Sequence, residues 1–216
     1  MKKLIINADD FWMSKIYNKE IIDLAKRNII SSISVMTKRW IENQIEDVEE
    51  LKKSCNLINI SIGLHLEFLQ KEENYKEEIN KQLKSFYDSF WFQPNHIDIH
   101  KDIPTFEFDE KCTRQVIAFA NSMKIPSRNR ANILLSEKHT DWSMFIVSKK
   151  PKEDVFSRLS SLENGKSYEL VCHPGRFDPE IQSSLNKERE DDVKMILHIN
   201  ELKEKMNIEI VSFKDL

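Results

Sequence analysis

Lys3-Leu4-Ile5-Ile6-Asn7-Ala8-Asp9-Asp10 is the stretch whose reading decides the fold: a short apolar run that closes on two adjacent carboxylates. Such a run reads as a buried strand. Behind it, residues 16–28 carry Ile16, Ile21, Ile22, Leu24 and Ala25 at helical spacing, and residues 31–37 are β-branched and small, as a second strand requires. The alternation then continues outward. Helices are expected over 40–53, up to about Trp91, and over 109–123, 152–162 and 186–206. Strands are expected over 57–66, 96–100, 145–148, 168–172 and 208–213, with a weaker one over 125–130. About seven such units without a Gly/Ser-rich linker predict one domain over residues 1–216, with parallel strands covered by helices. No Gly-rich loop follows the first strand, so the main mark of a dinucleotide-binding sheet is missing. The expected fold is α/β, an irregular (β/α) barrel of seven or eight parallel strands, compact beside the ~250 residues usual for that architecture.

Composition narrows the partners. Lys+Arg 33 against Asp+Glu 36 gives a net charge of −3, which argues against nucleic acid and for a small soluble substrate. No run of about 18 apolar residues predicts a membrane span, and the apolar stretch behind Lys2-Lys3 is too short for a signal peptide. Cys55, Cys112 and Cys172 are too far apart for a zinc knuckle and odd in number, which fits buried thiols in a cytoplasmic protein. Only Gly63, Gly165 and Gly175 occur, far below the usual ~7%, so each is expected to answer a backbone constraint.

In a parallel barrel the strand C-termini open on one face, where chemistry resides. Asp9-Asp10, His65, His100 and His173 all fall at or near such ends, and should converge although they are far apart in sequence. Two neighbouring carboxylates repel unless a cation or a shared proton separates them. Helix capping near Ser14 would explain Asp9 or Asp10 alone, but not the three histidines as well. Alternation in His96-Ile97-Asp98-Ile99-His100 sends the polar residues to one side, where His100 could hold a metal and Asp98 could bond behind a ligand to orient it. Two imidazoles and one carboxylate suit Zn²⁺, Mn²⁺, Fe²⁺ or Ni²⁺, and Mg²⁺ less naturally. One Asp of the pair would bind the ion and the other would act as general base, the set of a hydrolase for amides, esters or phosphoesters. His173, in His173-Pro174-Gly175 with Arg176 beside it, could protonate a leaving group or contact substrate, and Trp12 could stack on a sugar.

Taken in order, Asn7-Ala8-Asp9-Asp10-Phe11, Ile62-Gly63-Leu64-His65-Leu66, His96-Ile97-Asp98-Ile99-His100 and Cys172-His173-Pro174-Gly175 resemble the YdjC-like carbohydrate deacetylases, the family that includes chitooligosaccharide deacetylase. The resemblance implies an irregular β/α barrel that removes N-acetyl groups from amino sugars with one divalent metal ion, Mg²⁺ by family habit, Zn²⁺ or Mn²⁺ by ligand chemistry. It assigns Asp10, His65 and His100 to the metal, Asp9 to the base and His173 to an acid or substrate contact. A small carbohydrate is then the implied substrate, and the chain is open to self-association as a homodimer. Three departures stand out: Trp12 where the family has Gly, Asp102 and Pro104 where further histidines are common, and a short segment between His65 and His96. They keep two rivals in play. One is a phosphoesterase, which would need more cations than Lys101, Arg128, Arg130 and Arg176, and the other is a catalytically silent carbohydrate-binding relative.

Overall fold

The computed structural model describes residues 1–39, 45–57, 60–68, 74–100, 110–128, 135–145 and 152–216. Lys101, Asp102, Pro104 and Arg130, named above, and residues 40–44, in which a helix is expected to begin, lie outside the described residues. Among the described residues there are seven strands, β1 Lys2–Phe11, β2 Ser32–Val35, β3 Ser61–Glu67, β4 Ile97–His100, β5 Trp142–Phe145, β6 Ser167–Cys172 and β7 Ile208–Ile210. Six described α-helices alternate with them: α1 Lys15–Lys26, α2 Ile45–Leu57, α3 Tyr75–Phe90, α4 Glu110–Met123, α5 Lys152–Ser161 and α6 Arg189–Leu202. Every strand pair in the named ladders is parallel, in the order β4-β3-β2-β1-β6-β5, with β7 also on β1. The sheet curls into a half-barrel with helices outside it, the parallel α/β architecture that the alternation predicts.

The central strand explains the curl. β1 is buried from Leu4 to Phe11, as a parallel strand covered on both faces must be. One edge of it pairs with β6 over Lys3–Ala8. The other is shared, with β7 on Lys2–Leu4 and β2 on Asn7–Phe11, where the register shifts between Ala8 and Phe11. A parallel bridge from Ile97 to Ser127 extends the sheet beyond β4, and is what the structure makes of the strand expected over 125–130.

Local signals set the helix ends. Ser14 caps α1 by accepting from the backbone N–H of Ile16 and Tyr17, and α1 buries Tyr17, Ile21, Ile22, Leu24 and Ala25. α3 ends at Trp91, in a left-handed conformation (φ 62°) with its N–H on the Tyr87 carbonyl at 2.8 Å, before Pro94 can break the chain. Its buried Phe86 and Phe90 stack at 4.7 Å, each contributing about 1.5–3 kcal/mol by burial. Some expected boundaries move. Leu57 ends α2 rather than opening β3, because no Gly or Pro stops that helix earlier, and the strand expected over 145–148 is Trp142–Phe145, with 146–148 outside the described residues.

The chain then covers the lower end of the half-barrel. After β7, Val211 and Phe213 turn under the sheet and pack with Ile5. A capping box between Ser212 and Asp215 fixes that turn, and the Phe213 N–H donates to Ser61 Oγ at 3.3 Å. The expected strand over 208–213 therefore stops at Ile210. No described helix is long and apolar enough to cross a membrane.

Candidate active site

Successive residues of a strand point to opposite faces, so Asp9 and Asp10 should diverge. They do not, because Asp10 adopts a left-handed backbone (φ 70°), a region Asp enters more easily than most residues. The Met13 N–H closes the turn on the Asp10 carbonyl at 3.0 Å, and Asn18 Oδ1 accepts from the Trp12 N–H at 2.7 Å. Asp9 Oδ2 and Asp10 Oδ1 consequently approach the same atom, His65 Nε2, at 3.7 and 3.6 Å.

β3 and β4 supply the imidazoles. Their register pairs His65 with Asp98 and Glu67 with His100. Asp98 Oδ1 hydrogen-bonds His65 Nδ1 from behind, and its other oxygen accepts from Ser34 Oγ at 2.7 Å and pairs with Arg128 at 2.8 Å. His65 Nε2 is thereby left facing the mouth, 3.2 Å from His100 Nδ1, which is itself 3.0 Å from Asp10 Oδ1. One donor atom from each of Asp10, His65 and His100 lies within 4.8 Å of the others. Asp10 Oδ1 is buried and has no hydrogen-bond partner among the described residues.

That constellation fits a divalent cation. Three electron-pair donors converge on one point, one of them an orphaned carboxylate oxygen, and one of the two imidazoles, His65, is held from behind by the Asp98 carboxylate, as metal-ligating histidines usually are. Asp9, His65 and Asp98 also lie close enough to hold an ion, but both Asp98 oxygens are already bonded and both Asp9 oxygens are occupied, so this second grouping fits less well.

The protonation states follow from the neighbours. Burial alone would raise the Asp9 pKa, yet the Arg128 guanidinium and His65 keep it below the ordinary carboxylate value. Asp10 is held well below it, against burial, by the adjacent His100 and His65 and by Arg189. Burial alone would lower His65, but Asp98 and Asp9 raise it to about 10.

Arg128 organises the wall behind Asp9. It donates from Nη1 to Asp9 Oδ2 at 2.9 Å, from Nη2 to Asp9 Oδ1 at 2.7 Å, and from Nε to Glu169 on β6 at 2.9 Å. Asn7 Nδ2 donates to Asp9 Oδ1 at 2.7 Å and to Ser34 Oγ at 2.9 Å. His173 follows β6 at the rim, where its side chain is 15% exposed, with Nε2 3.8 Å from Asp9 Oδ2. Asp192 of α6 accepts from its backbone N–H at 2.8 Å and faces its Nδ1 at 3.8 Å.

The fold thus gathers Asp9, Asp10, His65, Asp98, His100 and His173. It does not gather Trp12 or Arg176. Trp12, read as a platform for sugar stacking, is a core residue: fully buried, in left-handed conformation (φ 82°), with its ring 5.4 Å from Phe90. A ring packed into the core offers no face to a sugar. Arg176 is exposed and pairs with Glu20 on α1 at 3.1 Å. The supporting residues Arg128, Glu169, Arg189 and Asp192 are additions that the motifs did not single out as part of the site. Period-two alternation inward from Tyr168 could have flagged Glu169, whereas nothing local marks Arg128 or Arg189 as buried.

Comparison with known proteins accords with this geometry. A family model described as YdjC-like protein matches residues 3–77 and 69–207. A carbohydrate deacetylase of Clostridium beijerinckii is 28% identical over 258 residues, covering 99% of this chain and 100% of that one. Among solved structures, one from Enterococcus faecalis, named as a candidate cellobiose-phosphate cleavage protein, superposes with a TM-score of 0.79 at 21% identity, covering 99% of this chain and 98% of that one. A family 4 acetyl xylan esterase from Clostridium thermocellum, solved with a cobalt ion, gives a TM-score of 0.60 at 11% identity over 99% of this chain and 89% of that one.

Proposed function

Since the chain belongs to the YdjC-like family, we propose that it is a hydrolase that removes N-acetyl groups from acetylated amino sugars or oligosaccharides with the help of one divalent metal ion. The observation that carries this reading is the donor set of Asp10, His65 and His100 converging beside a second carboxylate, Asp9, that its neighbours keep ionised. The deacetylase names of its relatives support the choice of an amide over other hydrolysable bonds.

Asp10, His65 and His100 would hold the ion, which supplies Lewis acidity toward the acetyl carbonyl and the attacking water. Asp9 takes the water's proton on Oδ2, the oxygen that faces His65 and His173. Arg128 and Asn7 fix that carboxylate in orientation and charge, so that it is ready as a base before substrate arrives. His173 gives a proton to the departing amine nitrogen, and Asp192 holds it at the rim through its backbone N–H. Acetate and a free amino sugar are the products. Asp98 keeps His65 Nδ1 occupied, so only Nε2 is presented to the ion. Two imidazoles favour a borderline ion such as Zn²⁺ or Mn²⁺, with Mg²⁺ the choice by family resemblance.

The phosphoesterase rival loses support. Arg128, one of the cations it would need, is committed to Asp9, Asp98 and Glu169, and Arg176 pairs with Glu20. The test is release of acetate against release of phosphate from a panel of N-acetylated sugars and sugar phosphates, with chelator and with Mg²⁺, Mn²⁺, Zn²⁺ and Co²⁺ in turn. Chelator-sensitive acetate release supports the assignment. Phosphate release, or substrate binding without turnover under every metal, overturns it.

A further inference from the structure

Arg189 opens α6 and is wholly buried, which is unusual for a guanidinium with one carboxylate partner. Its Nη2 donates to Asp10 Oδ2, and among the described residues its Nε and Nη1 have no hydrogen-bond partner. The guanidinium lies instead over the Tyr17 ring, 3.8 Å from its centroid, in cation–π contact. Tyr17 is fixed in turn, since its hydroxyl donates to Asn186 Oδ1 at 2.7 Å. Space for this stack comes from Gly175, where an added Cβ would meet Tyr17 at 2.8 Å and the Arg189 Cδ at 3.0 Å.

A buried ion pair left this incompletely bonded is a poor stabilising device, because desolvation offsets most of the attraction. Its geometry serves position better. With Oδ2 tied to Arg189, the Asp10 carboxylate cannot turn over, and Oδ1 is the oxygen left facing His65 and His100. We propose that Arg189, seated on Tyr17 in the space that Gly175 leaves, is the positioning residue that fixes Asp10 as a one-oxygen donor to the metal. This rests on the metal reading given above. It accounts for the Gly in His173-Pro174-Gly175 through the far side of Asp10 rather than through substrate.

The test is Co²⁺ binding to chelator-treated protein, followed by its visible absorption, in wild type, Arg189→Met, Arg189→Lys and the control Glu20→Gln, whose carboxylate pairs with Arg176 away from the metal donors, with folding checked by circular dichroism. Arg189→Met is expected to bind Co²⁺ about 10- to 100-fold more weakly and with an altered spectrum, the range found when a group behind a metal ligand is lost. Arg189→Lys, which keeps the charge but not the planar stack, should fall between it and wild type, and Glu20→Gln should match wild type. If Arg189→Met or Arg189→Lys folds and binds with wild-type affinity and spectrum, Arg189 does not position Asp10. Should Arg189→Met fail to fold, Arg189→Lys decides alone. Wild type that binds no Co²⁺ instead overturns the metal reading itself.

Discussion

His65 and His96 are two imidazoles buried in one barrel interior, and the structure drives them in opposite directions. His65, toward the mouth, is raised to about 10 because Asp98 and Asp9 outweigh the burial that would lower it. His96, toward the floor, is lowered to about 4, since burial dominates there and Arg128 adds to it. The second ring stacks on Phe213 at 4.2 Å, and its Nε2 sits 3.1 Å from Ser34 Oγ, which itself donates to Asp98. The Asp98 carboxylate and the Ser34 hydroxyl therefore lie between an imidazole that welcomes positive charge and one that rejects it. Burial opposes charge on both, and the closer carboxylates around His65 decide the outcome.

The sharpest way to break the contrast is at the mouth. Asp9→Asn should lower acetate release by about 10²- to 10⁴-fold, the usual contribution of a positioned base, while metal binding persists. Turnover at the wild-type rate would remove Asp9 from the role of base. His65→Ala should lose metal affinity by at least the ~10- to 100-fold typical of a supporting group, read by equilibrium dialysis against a divalent ion. Unchanged affinity would place the ion elsewhere.

At the floor the readout is stability. His96 has a folded pKa below its unfolded value of about 6.5, so the unfolded chain takes up the proton first as pH falls. Its contribution, about 3 kcal/mol, should be complete above pH 6.5, decline as pH falls toward about 4, and be absent below that. Urea unfolding of wild type and His96→Phe across this range should show a shallower pH slope in the variant, and equal slopes would refute the neutral assignment. In the metal-free protein the sign for His65 is opposite: its contribution is full below pH 6.5 and is lost as pH rises through about 10. The smallest effect expected is Gly63→Ala, about 1–3 kcal/mol by urea titration, because its Cβ would press into the His96 ring held against Phe213. A neutral result would mean that the floor is loosely packed.

Much of this was legible in the residues. Asp9, Asp10, His65, Asp98 and His100 stand in short motifs at or near strand ends, and parallel alternation requires such ends to share a face. The partners were not legible, for a physical reason. Arg128 sits just past the bridge at Ser127, and its meaning lies in Asp9, Asp98 and Glu169, each contributed by a different strand. Arg189 stands among acidic residues at the start of a polar helix and reads as surface until α6 is laid against α1. Trp12 misled for the reverse reason, since an aromatic next to a carboxylate pair suggests a binding face, whereas the left-handed turn at Asp10 and Trp12 carries the ring inward.

That turn also bears on which substitutions this sequence can accept. A non-glycine residue in the left-handed region costs about 1–2 kcal/mol, and Gly at position 12 would remove that cost. It would also empty the space that the indole fills against Phe11 and Phe90, at about 3–5 kcal/mol. The loss of packing outweighs the relief of the backbone and opposes that substitution. Trp12 is therefore held by its packing: Trp12→Gly would be tolerated only together with larger neighbours, at positions such as Phe90, that refill the gap, so the order of substitutions, and not only their sum, decides which variants fold.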